Sequence, residues 1–117
     1  MLTFAPNMRM YLHARPTDMR KSFDGLCALV RSVFQADPLD GSLFLFVNRR
    51  GDRLKMLWWD RDGLAIFYKR LESGTFEMLR PEGEKAVVEI DATELAMLLS
   101  GVSLASAKRR KRYRRAG

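Results

Sequence analysis

Three apolar runs separated by two turn signals, between Gly41 and Phe76, constrain the fold more than any other part of the chain. The runs and turns follow one another as residues 43–48, 49–52, 53–59, 60–63 and 64–72. The runs are rich in β-branched, aromatic and long apolar side chains, and each turn places Gly next to Asp, which favours a tight reversal. Strands joined by turns this short must be antiparallel neighbours, so the pattern predicts a three-stranded meander.

The turn lengths also predict how the three strands pair. Four-residue turns place Asn48 opposite Arg53 and Trp59 opposite Leu64. Because side chains alternate along a strand, this register divides the meander into two faces. The predicted core face holds Leu43, Leu45, Val47, Leu54, Met56, Trp58, Ala65, Phe67 and Leu71, with Lys69 near one end. The mixed face holds Phe44, Phe46, Asn48, Arg53, Lys55, Leu57, Trp59, Leu64, Ile66, Tyr68 and Arg70.

The segment before the meander favours one strand and one helix. Residues 8–14 predict a short strand that ends at the Pro-containing segment 15–18. Apolar residues at helical spacing then predict a helix from Asp18 to about Gln35. The loop at residues 37–41 ends this helix and leads into the meander.

The segment after the meander predicts two more short strands and a second helix. The strands are expected at residues 76–79 and 86–90. Asp91 and Glu94 have the spacing of a capping box, which predicts a helix ending near Gly101. The expected fold class is therefore α+β. It comprises an antiparallel sheet of about four to five strands, the long helix on its apolar face, a short C-terminal helix and a basic tail.

Length and composition indicate one domain. With 117 residues and a hydrophobic fraction of 47%, the chain is expected to form a single domain over residues 1–107, followed by the basic tail over residues 108–117. Its apolar runs are too short to cross a bilayer, and its N-terminal segment lacks the pattern of a signal peptide. A single cysteine fits a reducing compartment, so we expect a cytoplasmic protein without a membrane partner.

Positive charge is concentrated in two places. The chain has a net charge of +7, and the tail sequence KRRKRYRR holds seven of its 21 Lys and Arg residues. A second cluster lies between Arg49 and Arg70, a segment that contains seven basic residues and three acidic ones. Charge this dense predicts a tail that is disordered when free, and each cation can neutralise a phosphate. The distribution predicts a polyanion partner, with DNA expected first, although charge alone does not separate DNA from RNA.

Both clusters are therefore candidate nucleic-acid contacts, with Tyr113 and the aromatics of the mixed face available for stacking. The predicted residues are Arg49, Arg50, Arg53, Lys55, Lys69, Arg70, Lys108, Arg109, Arg110, Lys111, Arg112, Tyr113, Arg114 and Arg115. In the alternative, the tail is only a solvated end. In a separate alternative, the mixed face is covered by the second helix, the N-terminal segment or a second copy of the chain, and the covered face is a protein interface.

Residues for catalysis are scarce. His13 is the only histidine and Cys27 the only cysteine, so they cannot supply the several ligands of a zinc site. Cys27 fits a core position on the predicted helix. Four acidic residues could hold Mg²⁺ for a small nuclease, namely Asp24, Asp60, Asp62 and Glu72. Most of them lie in turns or beside caps, where Asp has a structural reason to be. We therefore predict no enzyme, no metal and no cofactor.

Two segments resemble a known family. They are TDMRKSFDGL, at residues 17–26, and DPLDGSLFLFVNRRGDRLKMLWWDRDGLAIFYKRLESGTF, from residue 37. The chain is similar over residues 8–103 to the TnpB-type, or second-open-reading-frame, accessory proteins of the sixty-six-type bacterial insertion sequences. The matching positions are Asp18, Arg20, Asp24, Gly25, Arg50, Gly51, Lys55, Trp58, Asp60, Gly63, Lys69, Arg70 and Leu71. Residues 76–79 depart from the aromatic-Trp-Pro ending of that pattern.

The resemblance implies a bacterial protein that is encoded beside a separate transposase and assists transposition without transferring strands itself. Combined with the charge pattern, it predicts a DNA-binding accessory subunit with DNA and the transposase as partners. The alternative is a protein-interaction module that docks on the transposase or forms a homodimer, without direct DNA contact.

Overall fold

The computed structural model describes residues 4–5, 7–77 and 85–101. Its strands are β1 (Met10–His13), β2 (Leu43–Val47), β3 (Arg53–Asp60), β4 (Gly63–Arg70) and β5 (Val87–Ile90). Helix α1 (Phe23–Leu29) continues directly into a π-helical segment (Val30–Phe34), and helix α2 (Ala92–Ser100) follows β5. The basic tail, and with it the predicted boundary after residue 107, lies outside the described residues.

The five strands form one sheet in the order β4-β3-β2-β1-β5. The meander and its register are confirmed: the N–H of Asn48 donates to the carbonyl of Arg53 over 3.1 Å, and Trp59 pairs with Leu64. Strand β1 lies beside β2 in parallel, while the other three pairings are antiparallel. Helix α1 lies in the connection between β1 and β2, which allows these two strands to run parallel. The sheet is therefore mixed, and the α+β fold class is confirmed.

Both faces of the sheet are covered, and the predicted position of the long helix is wrong. Helix α1 packs on the mixed face through Leu26, and the π-helical segment packs there through Val30, so that Phe44 and Phe46 are buried. The predicted core face is instead closed by α2 and by the segment after β4, with the side chains of Leu95, Leu98, Leu71 and Phe76. The two phenylalanines of β2 gain free energy from removal from water just as the core face does, and α1 buries them.

The first helix also begins later than predicted. Asp18 accepts a hydrogen bond from the backbone N–H of Arg20 over 2.9 Å, which holds residues 18–20 in a turn before the helix. The helical conformation begins at Phe23 and ends at Gln35, whose φ of 52° is left-handed. The predicted strand at residues 76–79 is not formed at Phe76 and Glu77, and the other two of its residues lie outside the described part.

The second helix is built as its sequence predicts. The N–H of Glu94 donates to the Asp91 carboxylate over 2.8 Å, and the N–H of Asp91 donates to the Glu94 carboxylate over 3.2 Å, which completes a capping box. Gly101 ends the helix with a φ of 88°. In the described stretches, neither helix is long and apolar enough to span a membrane.

Candidate nucleic-acid interface

An open cleft of about 640 Å³ lies at the end of the sheet where β2 turns into β3. Four of its lining residues are arginines: Arg20, Arg49, Arg50 and Arg53. The remaining lining residues are Pro16, Thr17, Asp18, Met19, Asn48, Asp52 and Tyr68. We name this site the arginine cleft after those four arginines. With two aspartates beside four arginines, its lining carries a formal charge of +2.

One wall of the cleft is the β2–β3 turn, which is held by the side chain of Asn48. Its carbonyl oxygen accepts the N–H of Arg53 over 3.0 Å, and its amide donates to the Asp52 carboxylate over 2.7 Å. The latter bond lowers the pKa of Asp52, which therefore stays ionised. Gly51, with a φ of 77°, accepts the N–H of Phe76 through its carbonyl over 2.8 Å. The turn is thus fixed from both sides.

This rigid turn presents two arginines to solvent. Arg49 and Arg50 are exposed at its tip, and within residues 7–77 neither forms an ion pair. A guanidinium without a carboxylate partner keeps all its donors available for a phosphate. These two side chains are therefore the most available cations of the arginine cleft.

The opposite wall is the segment before α1. The N–H of Thr17 donates to the carbonyl of Val47 over 2.8 Å, which attaches this segment to β2. Beyond it, the Arg20 guanidinium donates to both carboxylate oxygens of Asp18, the shortest contact being 2.7 Å. The hydrogen bonds from Arg20 lower the pKa of Asp18 to about 2. Arg20 therefore lines the cleft with its charge paired to Asp18.

Lys55 lies beneath the cleft and holds this wall to the sheet. Its ammonium donates to the carbonyls of Met19 over 2.8 Å and Lys21 over 2.7 Å, and it stands 4.7 Å from the ring centroid of Tyr68. The residue is only 7% exposed. Two carbonyl dipoles and an aromatic face replace the water that such a charge would otherwise require. Lys55 thus anchors the loop, and its donors are already in use.

Tyr68 is the aromatic residue of the cleft. It is 46% exposed, and its hydroxyl accepts a hydrogen bond from the Arg53 guanidinium over 3.2 Å. Arg70 lies next to it in an adjoining hollow and pairs with Glu72 over 3.1 Å. Lys69 points to the other face of the sheet, beside Leu99 at the end of α2.

The structure therefore brings together part of the predicted set. Arg49, Arg50 and Arg53 share one cleft, and Arg70 lies at its margin. Lys55 is buried beneath it, and Lys69 lies on the opposite face. The remaining predicted residues, Lys108 to Arg115, are outside the described part of the chain.

Sequence reasoning missed Arg20 as a contact, because the whole segment after Asp18 was expected to be helical. The two-residue spacing of Asp18 and Arg20 is compatible with a turn in which Asp bonds the backbone ahead, and this was the signal available. The mixed face was expected to be either a stacking platform or covered. Phe44 and Phe46 are fully buried under α1, so the accessible aromatic surface at this end is that of Tyr68.

The other candidate residues are dispersed. His13 is buried among aromatic rings and its Nδ1 lies 3.2 Å from the Thr17 hydroxyl; burial lowers its pKa, and so does the charge of Arg15. Burial raises the pKa of the Cys27 thiol. Among the residues described by the structure, no three His, Cys, Asp or Glu side chains converge as a metal site would require. The four acidic residues considered for Mg²⁺ are therefore not gathered.

Comparison with known proteins identifies the family. The profile described as "IS66 Orf2 like protein" matches residues 8–109, which include both walls of the arginine cleft. The chain belongs to the IS66 Orf2-like family. This confirms the resemblance inferred from the segments around residues 17–26 and 37–76, and it makes the protein an accessory protein associated with an insertion sequence.

Two relatives of this IS66 Orf2-like protein come from Sinorhizobium fredii. Uncharacterized protein y4hO is 39% identical over 102 residues, which cover 87% of each chain. Uncharacterized protein y4jC is 34% identical over 103 residues, covering 88% of this chain and 86% of the relative. No solved structure matches the chain significantly.

Proposed function

We propose that this IS66 Orf2-like protein is a DNA-binding accessory protein that supports a separate transposase. The observation that carries the proposal is the arginine cleft, where three arginines of one turn and strand project into the same open space. Arg49 and Arg50 are exposed, and Arg53 is held by its bond to Tyr68. Such an arrangement suits phosphate oxygens, which accept bidentate hydrogen bonds from guanidinium groups.

The rigidity of the turn supports this proposal. A flexible loop loses backbone conformational entropy when it binds, whereas here the backbone that carries the arginines is already fixed by Asn48 and Gly51. The basic tail adds seven positive charges in its sequence. In the proposal, the cleft positions the DNA backbone and the tail adds affinity that does not depend on base sequence.

A salt titration of DNA binding tests the proposal. The full chain, a version ending at Ala107, and an Arg49→Ser, Arg50→Ser double variant are titrated with a short duplex. The full chain should bind with a log–log slope of roughly −4 to −6, as about five to seven phosphate contacts would give. The double variant should lose about two units of slope, and the shortened form should lose most of it.

A matched control distinguishes the cleft from general charge. Lys69→Ser together with Arg61→Ser removes one positive charge from the opposite face of the sheet and one from the exposed β3–β4 turn at its other end, so the slope should stay close to that of the full chain. Equal losses in the two double variants would contradict a role for the cleft. If the full chain does not bind near physiological salt, DNA is not its direct partner.

A second candidate function is self-association, and the free edge of β4 favours it. Leu71 and Asp52 form a hydrogen-bonded pair, and such pairs alternate along an antiparallel ladder. The backbone N–H and C=O groups of Leu64, Ile66, Tyr68 and Arg70 therefore point away from β3. No strand within the described residues pairs with this edge.

The charges around β4 suit a second copy of the same strand. The strand ends at Lys69 and Arg70, whereas Asp60 at the end of β3 and Asp62 in the following turn, with Arg61 between them, give the other end a charge of −1. Antiparallel pairing about a twofold axis places the basic end of one copy beside the acidic turn of the other. In this second function, the protein forms a dimer with a continuous sheet of ten strands.

Sedimentation of two variants tests the dimer. Ile66→Pro removes an N–H that points away from β3, whereas Ile66→Ala removes similar packing and keeps that donor. The wild type and the Ala variant should sediment as dimers, and the Pro variant as a monomer. A monomeric wild type, or a dimeric Pro variant, would exclude pairing through β4.

A further inference from the structure

The fold uses only part of the Tyr68 ring, as the aromatic partner of the Lys55 ammonium. Leu64 and Ile66, on the same face of β4, pack into the core beneath α1, but Tyr68 lies beyond that cover and remains 46% exposed. An aromatic ring at an exposed site on an edge strand gains little from burial. Its neighbours nonetheless fix its orientation, and the exposed part of the ring lines the arginine cleft.

Two cationic groups hold the ring in place. The ammonium of Lys55 lies over it, 4.7 Å from the centroid, and is itself fixed by two backbone carbonyls. The guanidinium of Arg53 donates to the hydroxyl over 3.2 Å. A ring fixed in this way presents a flat surface between arginines with little loss of side-chain entropy on binding. This combination of aromatic surface and surrounding cations is what nucleobase stacking with phosphate contact requires.

We propose that the arginine cleft holds an unpaired nucleotide of single-stranded DNA, with its base on Tyr68 and its flanking phosphates on Arg49, Arg50 and Arg53. The inference rests on the proposed function and specifies its substrate. The cleft volume of about 640 Å³ is within the usual range for a small-ligand site. In a paired duplex both faces of each base are covered by its neighbours, so a base reaches Tyr68 only from an unpaired strand.

The Tyr68 ring and the arginines of the cleft should therefore contribute differently to nucleic-acid binding. Stacking depends on the ring and not on salt, whereas the phosphate contacts release counterions and set the salt dependence. Removing the ring should weaken binding to a single strand and leave the slope unchanged. Removing the arginines should weaken binding to both single and double strands and reduce the slope.

The test compares the full chain with Tyr68→Leu and Tyr68→Phe. The probes are an oligothymidylate of about 12 nucleotides, an abasic strand of the same length and a duplex of the same length. Tyr68→Leu should weaken oligothymidylate binding by at least about fivefold, with unchanged slope, and should leave duplex and abasic binding within about twofold. Tyr68→Phe keeps the ring and should stay within about twofold of the wild type on every probe. Unchanged thermal melting would show that the Leu variant is folded.

The pattern of failure identifies which proposal is wrong. If Tyr68→Leu binds oligothymidylate as tightly as the wild type, or weakens duplex binding equally, the stacking site does not exist. The DNA-binding function then still stands, provided that Arg49→Ser with Arg50→Ser lowers the slope. If the wild type binds none of the probes near physiological salt, both proposals fail. Tighter binding to an oligouridylate of the same length, used as a fourth probe, would overturn the choice of DNA.

Discussion

The mixed face of the sheet, on which α1 packs, has two halves that differ in exposure to solvent although they share the same strands. In the closed half, Phe44, Phe46 and Leu57 are fully buried beneath α1 and the π-helical segment. In the open half, Arg53 and Tyr68 line the arginine cleft. One strand, β3, passes from the open half to the closed half within four residues.

The difference shows that the position of the first helical residue decides where the cleft lies. A helix beginning at Asp18 would extend about 7.5 Å further than one beginning at Phe23. Instead, Asp18 bonds to Arg20 and Lys55 bonds to the carbonyls of Met19 and Lys21, which keeps this segment as a turn. The open half is thus the part of the sheet that the helix does not reach.

The largest expected effect is in the closed half. Phe46→Ala removes a fully buried ring that contacts Phe34 and His13, so it should lower the free energy of unfolding by about 3–5 kcal/mol. Tyr68→Ala, in the open half, should cost less than about 1.5 kcal/mol, because the ring is half exposed. Urea denaturation of both variants measures the two values. Equal losses would mean that the halves are not energetically distinct.

Lys55→Met should have the next largest effect, because Lys55 joins the two halves. The change keeps the length of the side chain but removes two hydrogen bonds from a charged donor to the loop before α1. We expect a loss of about 2 kcal/mol in unfolding free energy and faster amide exchange in residues 18–21.

Arg53→Met is the matched control, since it lies on the same strand and face and donates to Tyr68 from the exposed side. It should cost less than about 1 kcal/mol. If both variants lose the same stability, the buried ammonium of Lys55 has no special role in the loop.

Periodicity and turn chemistry predicted much of this fold from the sequence. The Gly-Asp turns specified the register of β2, β3 and β4, and the spacing of Asp91 and Glu94 specified the start of α2. These are local signals, and the structure confirms them. The parallel pairing of β1 with β2 was not predicted, because residues distant in sequence form it and no local signal reports it.

The candidate site was predicted less completely, for a related reason. Arg53 and Lys55 have the same alternation and equal charge, so sequence reasoning assigned both to the same interface. Their different environments depend on the distant carbonyls of Met19 and Lys21, and only the tertiary structure brings these to Lys55. The exposed position of Tyr68 likewise depends on where α1 begins.

The stability of the protein should depend on pH because of His13, a residue of the closed half. This residue is 7% exposed, and burial lowers its pKa below the ordinary value of 6.5. The unfolded chain therefore binds the proton more readily than the folded one. The contribution of neutral His13 to the free energy of unfolding is fully present above about pH 6.5. It is lost as the pH falls from there through the folded pKa, by at most about 1.4 kcal/mol per pH unit.

Urea denaturation between about pH 5.5 and 7.5 measures this dependence, in a window where His is the side chain that ordinarily titrates. His13→Gln should make the profile nearly flat, because the chain has no other histidine. A profile that keeps its slope in this variant would show that the closed half does not sense pH through His13.

The smallest effect is expected in the open half, from Asp18→Asn. The change removes one negative charge from the cleft and releases the Arg20 guanidinium, while the side-chain oxygen of Asn can still accept the backbone N–H of Arg20. The log–log salt slope of DNA binding should become steeper by up to about one unit. Asp62→Asn removes an equal charge from the distant β3–β4 turn and should leave the slope unchanged. If both variants change the slope equally, DNA responds to the net charge of the protein and the arginine cleft has no privileged role. If only Asp18→Asn does so, the DNA backbone passes beside Arg20, and the open half of the sheet is its binding surface.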